Sequence, residues 1–302
     1  MFVTKIMKTL LALAGVLLVA GGCSRQNILS DEQSGLVLSG RVVNGTSAVW
    51  ATKADDNQQL QALPEGDLGV YVLTVSGSAQ EQTNFETTQW KNLQFTSNAS
   101  GDISGADNVT LRMGTVYNIY AYAPRIAGLS DAHNIPVQHG ADMLWAKTPQ
   151  VTATAKETKA KLQFYHSGAQ IGFRLKMKNG ENVDLSGAKL EVSGFYKTGT
   201  LDLESGKMIL QEEDRTETIT DFSGQKTNIL ITGSNMSFSV KVTDVPGQEG
   251  KVFTGNLPSA CQAGKSYLYD VNIDTDDARQ AITFTATIED WEDVNGGTLP
   301  IG

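Results

Sequence analysis

Few residues in this chain are of types that do chemistry, and their spacing decides how they are read. The sequence has 302 residues, with only three histidines and two cysteines. His133 and His139 stand six apart, with Asp131 and Asp142 nearby. Such side chains hold a metal ion only when a fixed scaffold converges them, and residues 125–141 read as one long loop. No metal and no cofactor is therefore assigned. His166 closes an alternating run and reads as a structural histidine. Acidic runs at Glu212-Glu213-Asp214 and at Asp274, Asp276 and Asp277 read as solvated loop charge. The second lacks the Gly and the closing Glu of a calcium-binding loop. No Gly-rich phosphate loop, Gly-x-Ser-x-Gly elbow or Cys-x-x-Cys pair occurs. Cys261 has no His, Asp or Asn arrangement near it and reads as a bystander thiol. No catalytic residue is assigned, and the chain is not expected to be an enzyme.

The other cysteine carries a different chemistry. Residues 1–22 combine Lys5 and Lys8 with a short apolar run, 10–20, and end in Ala20-Gly21-Gly22 ahead of Cys23. That run is too short to span a bilayer as a helix. The arrangement resembles a bacterial lipobox, in which a signal peptidase cuts before the cysteine and the thiol takes up a diacylglycerol. Ala20 departs from the Leu usual at the first lipobox position. Residues 1–22 are thus expected to be a signal peptide and Cys23 the lipidated residue. Residues 23–35 would form a polar, lipid-anchored tether. Burial of acyl chains contributes about 0.8 kcal/mol per CH₂, so two or three chains anchor firmly.

The four tryptophans, Trp50, Trp90, Trp145 and Trp291, could stack on sugars, but buried aromatics of a sandwich core are the expected reading. Trp90 fits it least, because Gln89 and Lys91 make its run polar. The net charge of −9, with no basic stripe, excludes nucleic acid as a partner.

The elements that must position these residues are strands. In 159–177, Ala160, Leu162, Phe164 and His166 share one side of a first run, and Ile171, Phe173, Leu175 and Met177 share one side of a second. Period two marks half-buried strands, and the short Ser167-Gly168-Ala169 segment between the runs predicts a β-hairpin. Further runs at 36–43, 48–53, 68–75, 90–95, 109–113 and 117–123 precede it. Others follow at 189–193, 199–203, 207–210, 226–232, 236–243, 251–254, 266–273 and 281–289. No segment after the leader has a helical period. Many short strands at close spacing predict an all-β chain of two tandem β-sandwich domains, 36–150 and 151–302. The Thr- and Ala-rich stretch 147–158 would be the linker, and the hairpin would open the second domain.

One ordered set of motifs is more specific. Tyr117-x-x-Tyr120-Ala121-Tyr122-Ala123-Pro124 precedes Asp142-x-Leu144-x-Ala146. Leu162-x-Phe164-x-His166-x-x-Ala169-x-Ile171-x-Phe173 follows, then Tyr267-x-Tyr269-x-Val271 and Ile288-Glu289-Asp290-Trp291. Behind a lipobox, this order resembles the fimbrillin family, the lipoprotein precursors of type V pili in Bacteroidales-like bacteria. The resemblance implies that the two sandwiches are transthyretin-like and that the chain is exported as an outer membrane lipoprotein to the cell surface or fimbrium. It implies partners of three kinds: other pilus subunits by strand donation, the outer membrane through lipid on Cys23, and a host or bacterial surface receptor. In stalk subunits of the family an Arg/Lys-specific protease removes the first strand, and the next subunit's strand fills the groove. Arg41, inside the first run, and Lys53, after the second, are the candidate processing sites. The expected function is a structural or adhesive pilus subunit in an accessory, tip or anchor-like position. The alternative is a surface lipoprotein that binds glycans.

Overall fold

The structure is a computed structural model that describes residues 33–43, 60–77, 80–105, 109–178, 180, 183–212, 215–231, 236–259, 261–276 and 279–291. Among them are 21 strands and no helix. In chain order the first eleven are β1 (Gln33–Val43), β2 (Leu60–Ala62), β3 (Gly66–Ser76), β4 (Glu81–Gln82), β5 (Trp90–Ser97), β6 (Ile103–Gly105), β7 (Thr110–Arg112), β8 (Val116–Ala123), β9 (Ile135–Gln138), β10 (Leu144–Thr152) and β11 (Glu157–His166). They are followed by β12 (Ala169–Met177), β13 (Lys189–Phe195), β14 (Thr198–Asp202), β15 (Lys207–Glu212), β16 (Arg215–Ile219), β17 (Lys226–Ile229), β18 (Met236–Thr243), β19 (Phe253–Ser259), β20 (Lys265–Ile273) and β21 (Ile282–Asp290).

The first sheet runs β2-β1-β11-β10-β8-β3-β5-β6, with β4 on β3 and β7 on β1. A bridge between Ser39 and Asp102 brings its two ends together, so the sheet curls around its own apolar face. Leu38, Val42, Leu68, Val70, Ile119, Leu162 and Phe164 meet in that interior. The alternation in β11 is as its sequence implies: Thr158, Ala160, Leu162, Phe164 and His166 are buried while Glu157, Lys159, Lys161 and Gln163 are exposed.

Strands β3 and β8 and the first three residues of β10 do not alternate between core and solvent, because both of their faces are covered. In β8, Ile119 and Ala121 point into the curled interior, while Tyr120 and Tyr122 point the other way. That outer face is capped by a three-stranded sheet, β15-β14-β9, which brings Ile135, Val137, Leu201, Leu203 and Met208 onto Tyr71, Tyr122 and Trp145. Gly69 lies under Tyr122; a Cβ there would stand 2.2 Å from the ring. The second half adds two four-stranded sheets, β17-β12-β20-β21 and β16-β13-β18-β19, with Ile171, Phe173, Val192, Phe238, Val240, Tyr269 and Val271 between them.

Three expectations change. The stretch 159–177 is not a hairpin. β11 pairs with β10 and runs parallel to β1, whereas β12 pairs with β17 and runs parallel to β20. Alternation reports that a strand has a greasy face; it does not report which neighbour takes the hydrogen bonds. Ser167 and Gly168 form a crossing between sheets, tied by the Ser167 amide and hydroxyl donating to the Met143 carbonyl at 2.9 and 2.6 Å. Nor is 147–158 a linker. β10 continues through it to Thr152, paired with β8 after an irregularity between Thr148 and Val151, as β-favouring Thr and Val allow. The boundary expected between 150 and 151 therefore falls inside a strand. Finally, the loop 125–141 contains β9, whose sequence Ile-Pro-Val-Gln is too short to show a period. β9 pairs only with β14, an edge position where Pro136 leaves no central ladder bond unmade.

Because β14 and β15 come from the second half and cap the first, the two halves should unfold together. Leu201→Ala, at a fully buried site in that cap, is expected to cost about 2–5 kcal/mol. Denaturant midpoints followed by tryptophan fluorescence and by circular dichroism should both shift and still coincide. Two separated transitions would show that the cap does not couple the halves.

Candidate functional site

The site is the first strand and its seat. Down β1, Ser34, Leu38, Gly40, Val42 and Val43 are buried, while Gln33, Val37, Ser39 and Arg41 face outward. On one side β1 makes an unbroken parallel ladder with β11, from Gly35 opposite Glu157 to Val42 opposite Phe164. Its other side is held in pieces. β7 takes Gln33 to Gly35, the Leu36 amide donates to the Val109 carbonyl at 2.9 Å, Ser39 bridges Asp102, and β2 takes Arg41 to Val43. At the buried N-terminal end the hydroxyls of Ser34 and Thr158 lie 2.6 Å apart. Gly40 is needed at the middle, since a Cβ would come within 2.8 Å of Ile103 and 3.0 Å of Phe164. Lifting β1 out would strip the edge of β11 and open the interior that Leu38 and Val42 fill, a costly exposure of unpaired amides and apolar surface.

Arg41 is exposed, and its guanidinium donates to the carbonyls of Gly40 at 2.8 Å and Gly101 at 3.2 Å. Its main chain stands between Gln163 of β11 and Ala62 of β2. Lys53, Cys23 and Trp50 lie outside the described residues, as do Glu213, Asp214 and Asp277 and the leader with most of the tether. Asp274 pairs with Lys178 at 2.6 Å and caps its own turn by accepting from the Asp276 amide at 3.1 Å. Cys261 is buried among the apolar residues of the second half.

The three histidines do not converge. Each meets a different carboxylate, and all three sit where the first half touches the second. The His133 ring lies 2.8 Å from Asp202 and edge-on to Phe85. Burial pushes the Asp202 carboxyl up, but hydrogen bonds from Ser205 and His133 outweigh it, so its pKa is lowered. His139 packs edge-on against Phe195, with Nδ1 3.2 Å from the Tyr196 carbonyl. Its Nε2 is 3.2 Å from Glu217 without hydrogen-bond geometry. Burial lowers the His139 pKa, reinforced by the Arg215 charge, so the ring is held neutral. His166 is buried with Nδ1 2.8 Å from Asp142, and its ring stacks on Trp291 at 3.9 Å. Asp142, His166 and Trp291 each belong to a separate sequence motif; no sequence signal shows that the three meet. Among the described residues no group of three metal-binding side chains converges.

Of the tryptophans, Trp145 is buried with its indole N–H donating to the Leu203 carbonyl at 2.6 Å, and Trp291 is buried on His166. Trp90 is half-buried, edge-on to Tyr117 at 5.8 Å.

Residues 52–291 match the family described as fimbrillin-like. The chain belongs to the fimbrillin-like family. Solved structures carry the same fold. A proposed cell-adhesion protein from Bacteroides ovatus superposes with a TM-score of 0.60 at 16% identity, over 86% of this chain and 98% of that one. Another from Bacteroides uniformis gives 0.59 at 19% identity, over 87% and 100%. A fimbrial protein from Bacteroides vulgatus gives 0.50 at 12% identity, over 85% and 99%. No curated protein matches significantly. Membership places this fimbrillin-like chain among structural, fimbrial proteins of the cell surface, a class not known for catalysis.

The neutral His139 makes stability depend on pH. Its folded pKa lies below the unfolded value of about 6.5, so the unfolded chain binds the proton first. Stability is fully present above that pH and should fall as pH drops below it. Thermal unfolding between pH 7.5 and 5 is expected to show this decline, and His139→Asn should make it shallower. An unchanged slope in the variant would remove His139 from the account.

Proposed function

We propose that this fimbrillin-like chain is a lipoprotein precursor of a pilus subunit that assembles by strand exchange, with β1 as the strand that is replaced. The observation that carries the proposal is the seating of β1. It is the first described strand, it is continuous on one side only, and it plugs an apolar interior that is otherwise built by later residues. A donated strand from another subunit would restore both the ladder and the buried side chains. The two sandwich units of this reading are residues 36–166 and 169–291, joined at Ser167-Gly168 and capped across the joint by β9, β14 and β15. The second boundary replaces the one at 150, in keeping with β11 sharing a sheet with β1.

Export would begin with cleavage before Cys23 and acylation of its thiol, which anchors the precursor in the outer membrane. Of the two processing candidates Arg41 is enclosed, and Lys53, outside the described residues, is the one this reading takes. A protease needs an extended segment free of neighbours, and the Arg41 peptide is flanked by β2 and β11. Lys53 lies in sequence between β1 and β2, at the end of the run 48–53 and before the polar residues 55–59. Its partners are then other pilus subunits and, in a tip or accessory position, a surface receptor. The chain acts by assembly, with no catalytic step.

Brief treatment with a trypsin-like protease, followed by mass spectrometry, tests the order of events. The new N-terminus is expected at Ala54, β1 should leave, and the trimmed protein should form a ladder of oligomers on native gels. Lys53→Ala should prevent both. A trimmed protein that stays monomeric and folded with β1 gone would overturn the strand-exchange reading, and a new terminus at Val42 would move the processing site to Arg41. The anchor is read separately: Cys23→Ala should abolish incorporation of labelled palmitate in cells.

A further inference from the structure

One open cleft on the first sheet borders the seat of β1, since Arg112 in its lining stands opposite Gln33. It has a volume of about 460 Å³ and lies between the end of β3, the β4–β5 connection, β7 and the start of β8. That size falls within the range of about 300–1,000 Å³ usual for small-ligand sites. Its lining is unlike that of a drug-type pocket, which is mostly aliphatic. Trp90, which also packs against the curled interior, supplies aromatic surface, with the buried Tyr117 ring behind it; among the described lining residues Arg112 is the one charged side chain, and the remainder are hydroxyl and amide groups of five threonines and Gln89.

The cleft is preformed. Phe85 anchors the β4–β5 connection by packing edge-on against Tyr71 and Tyr120, at 5.5 and 4.9 Å. The Asn84 side chain accepts from the Glu86 amide at 2.7 Å, and the Asn84 carbonyl accepts from the Thr88 amide at 3.0 Å. Thr88 then fixes Trp90 from both directions. Its hydroxyl donates to the Val72 carbonyl at 2.7 Å and accepts from the Trp90 amide at 3.3 Å. Tyr117, which backs the indole, is held by accepting from the Arg112 amide at 2.9 Å. A site fixed this way loses little freedom on binding.

Not all of its polar groups are used in holding it together. Within the described residues, the side-chain oxygens of Thr74 and Thr115 and the amide of Gln89 make no hydrogen bond, whereas those of Thr83 and Thr88 do. The result is a half-buried indole ringed by available donors and acceptors. The ligand that matches is a ring with an apolar C–H face and a rim of hydroxyls.

We propose that this cleft binds a pyranose sugar of a surface glycan. The ring's C–H face lies against Trp90, and its hydroxyls exchange hydrogen bonds with Gln89, Thr74 and Thr115. Arg112 gives the site a preference for sugars bearing a carboxylate over neutral ones. This would make the subunit itself a glycan adhesin, and failure of the sugar proposal would leave strand exchange untouched.

The test uses the unprocessed chain, because β7, which carries Arg112, is paired to the N-terminal end of β1. Saturation-transfer NMR is run with galactose, N-acetylglucosamine, glucuronic acid and N-acetylneuraminic acid. At least one should receive saturation through its ring protons, the acidic pair more strongly. Trp90→Ala should weaken that sugar's binding by about tenfold or more, the scale of losing an aromatic anchor, while Trp90→Phe retains part of it. If Trp90→Ala does not fold, the rim variant Gln89→Ala/Thr115→Val decides in its place and should lose most of the signal. No transfer to any of the four sugars, or transfer that survives in the deciding variant, overturns the proposal. Equal transfer to neutral and acidic sugars, lost in the deciding variant, keeps the site and overturns the role given to Arg112.

Discussion

The structure depends on one constraint: strands β3 and β8 and the start of β10 are apolar on both faces. A sheet can leave one face wet, but Tyr71, Tyr120, Tyr122 and Trp145 are too large and too apolar to be left there. The first sheet solves half of the problem by curling on itself. The other half is solved from far along the chain, by Leu201, Leu203 and Met208 together with the short β9 that pairs to them. Everything between the halves follows from that cap. It fixes where β12 can begin, it brings His133 to Asp202 and His139 to Glu217, and it leaves Trp291 to close over His166.

Within that frame the two ends of the first sheet have different standing. The central strands are committed on both faces and both edges. β1 is committed on one face and one edge, and its second edge is shared among β7, Val109, Asp102 and β2. A strand placed so is the easiest one to exchange for an equivalent strand, because few of its contacts are irreplaceable by another chain of the same pattern. The cleft at Trp90 borders this seam through β7, on the connection that Phe85 pins against Tyr71 and Tyr120, so attachment and assembly would use adjoining parts of one scaffold.

Much of the fold was legible in the sequence. Period two in 159–166 and 236–243 announced strands with one buried side; 117–123 was legible as a strand, but its burial on both faces was not. Pairing was not legible. The runs on either side of Ser167-Gly168 look like a hairpin locally, and only the distant partners β1 and β20 draw them into different sheets. β9 was silent because four residues with a proline carry no pattern. At the candidate site, the early strand and its importance could be read, whereas the enclosure of Arg41 between β2 and β11 could not, since it rests on ladder partners more than a hundred residues apart on one side. Trp90 stood out by its polar flanks, of which Gln89 is part of the cleft wall.

The parallel seat of β1 has a consequence in time. Ser34 meets Thr158 across 124 positions of chain, and Trp291 reaches His166 only from the end of the last strand. Contacts so distant in sequence form late and slowly. As the polypeptide emerges, its first strand must wait, unpaired, for a partner not yet made. For that interval an apolar segment with bare amides is open to any stray strand, a hazard of misassembly that the nascent chain must survive before it can fold.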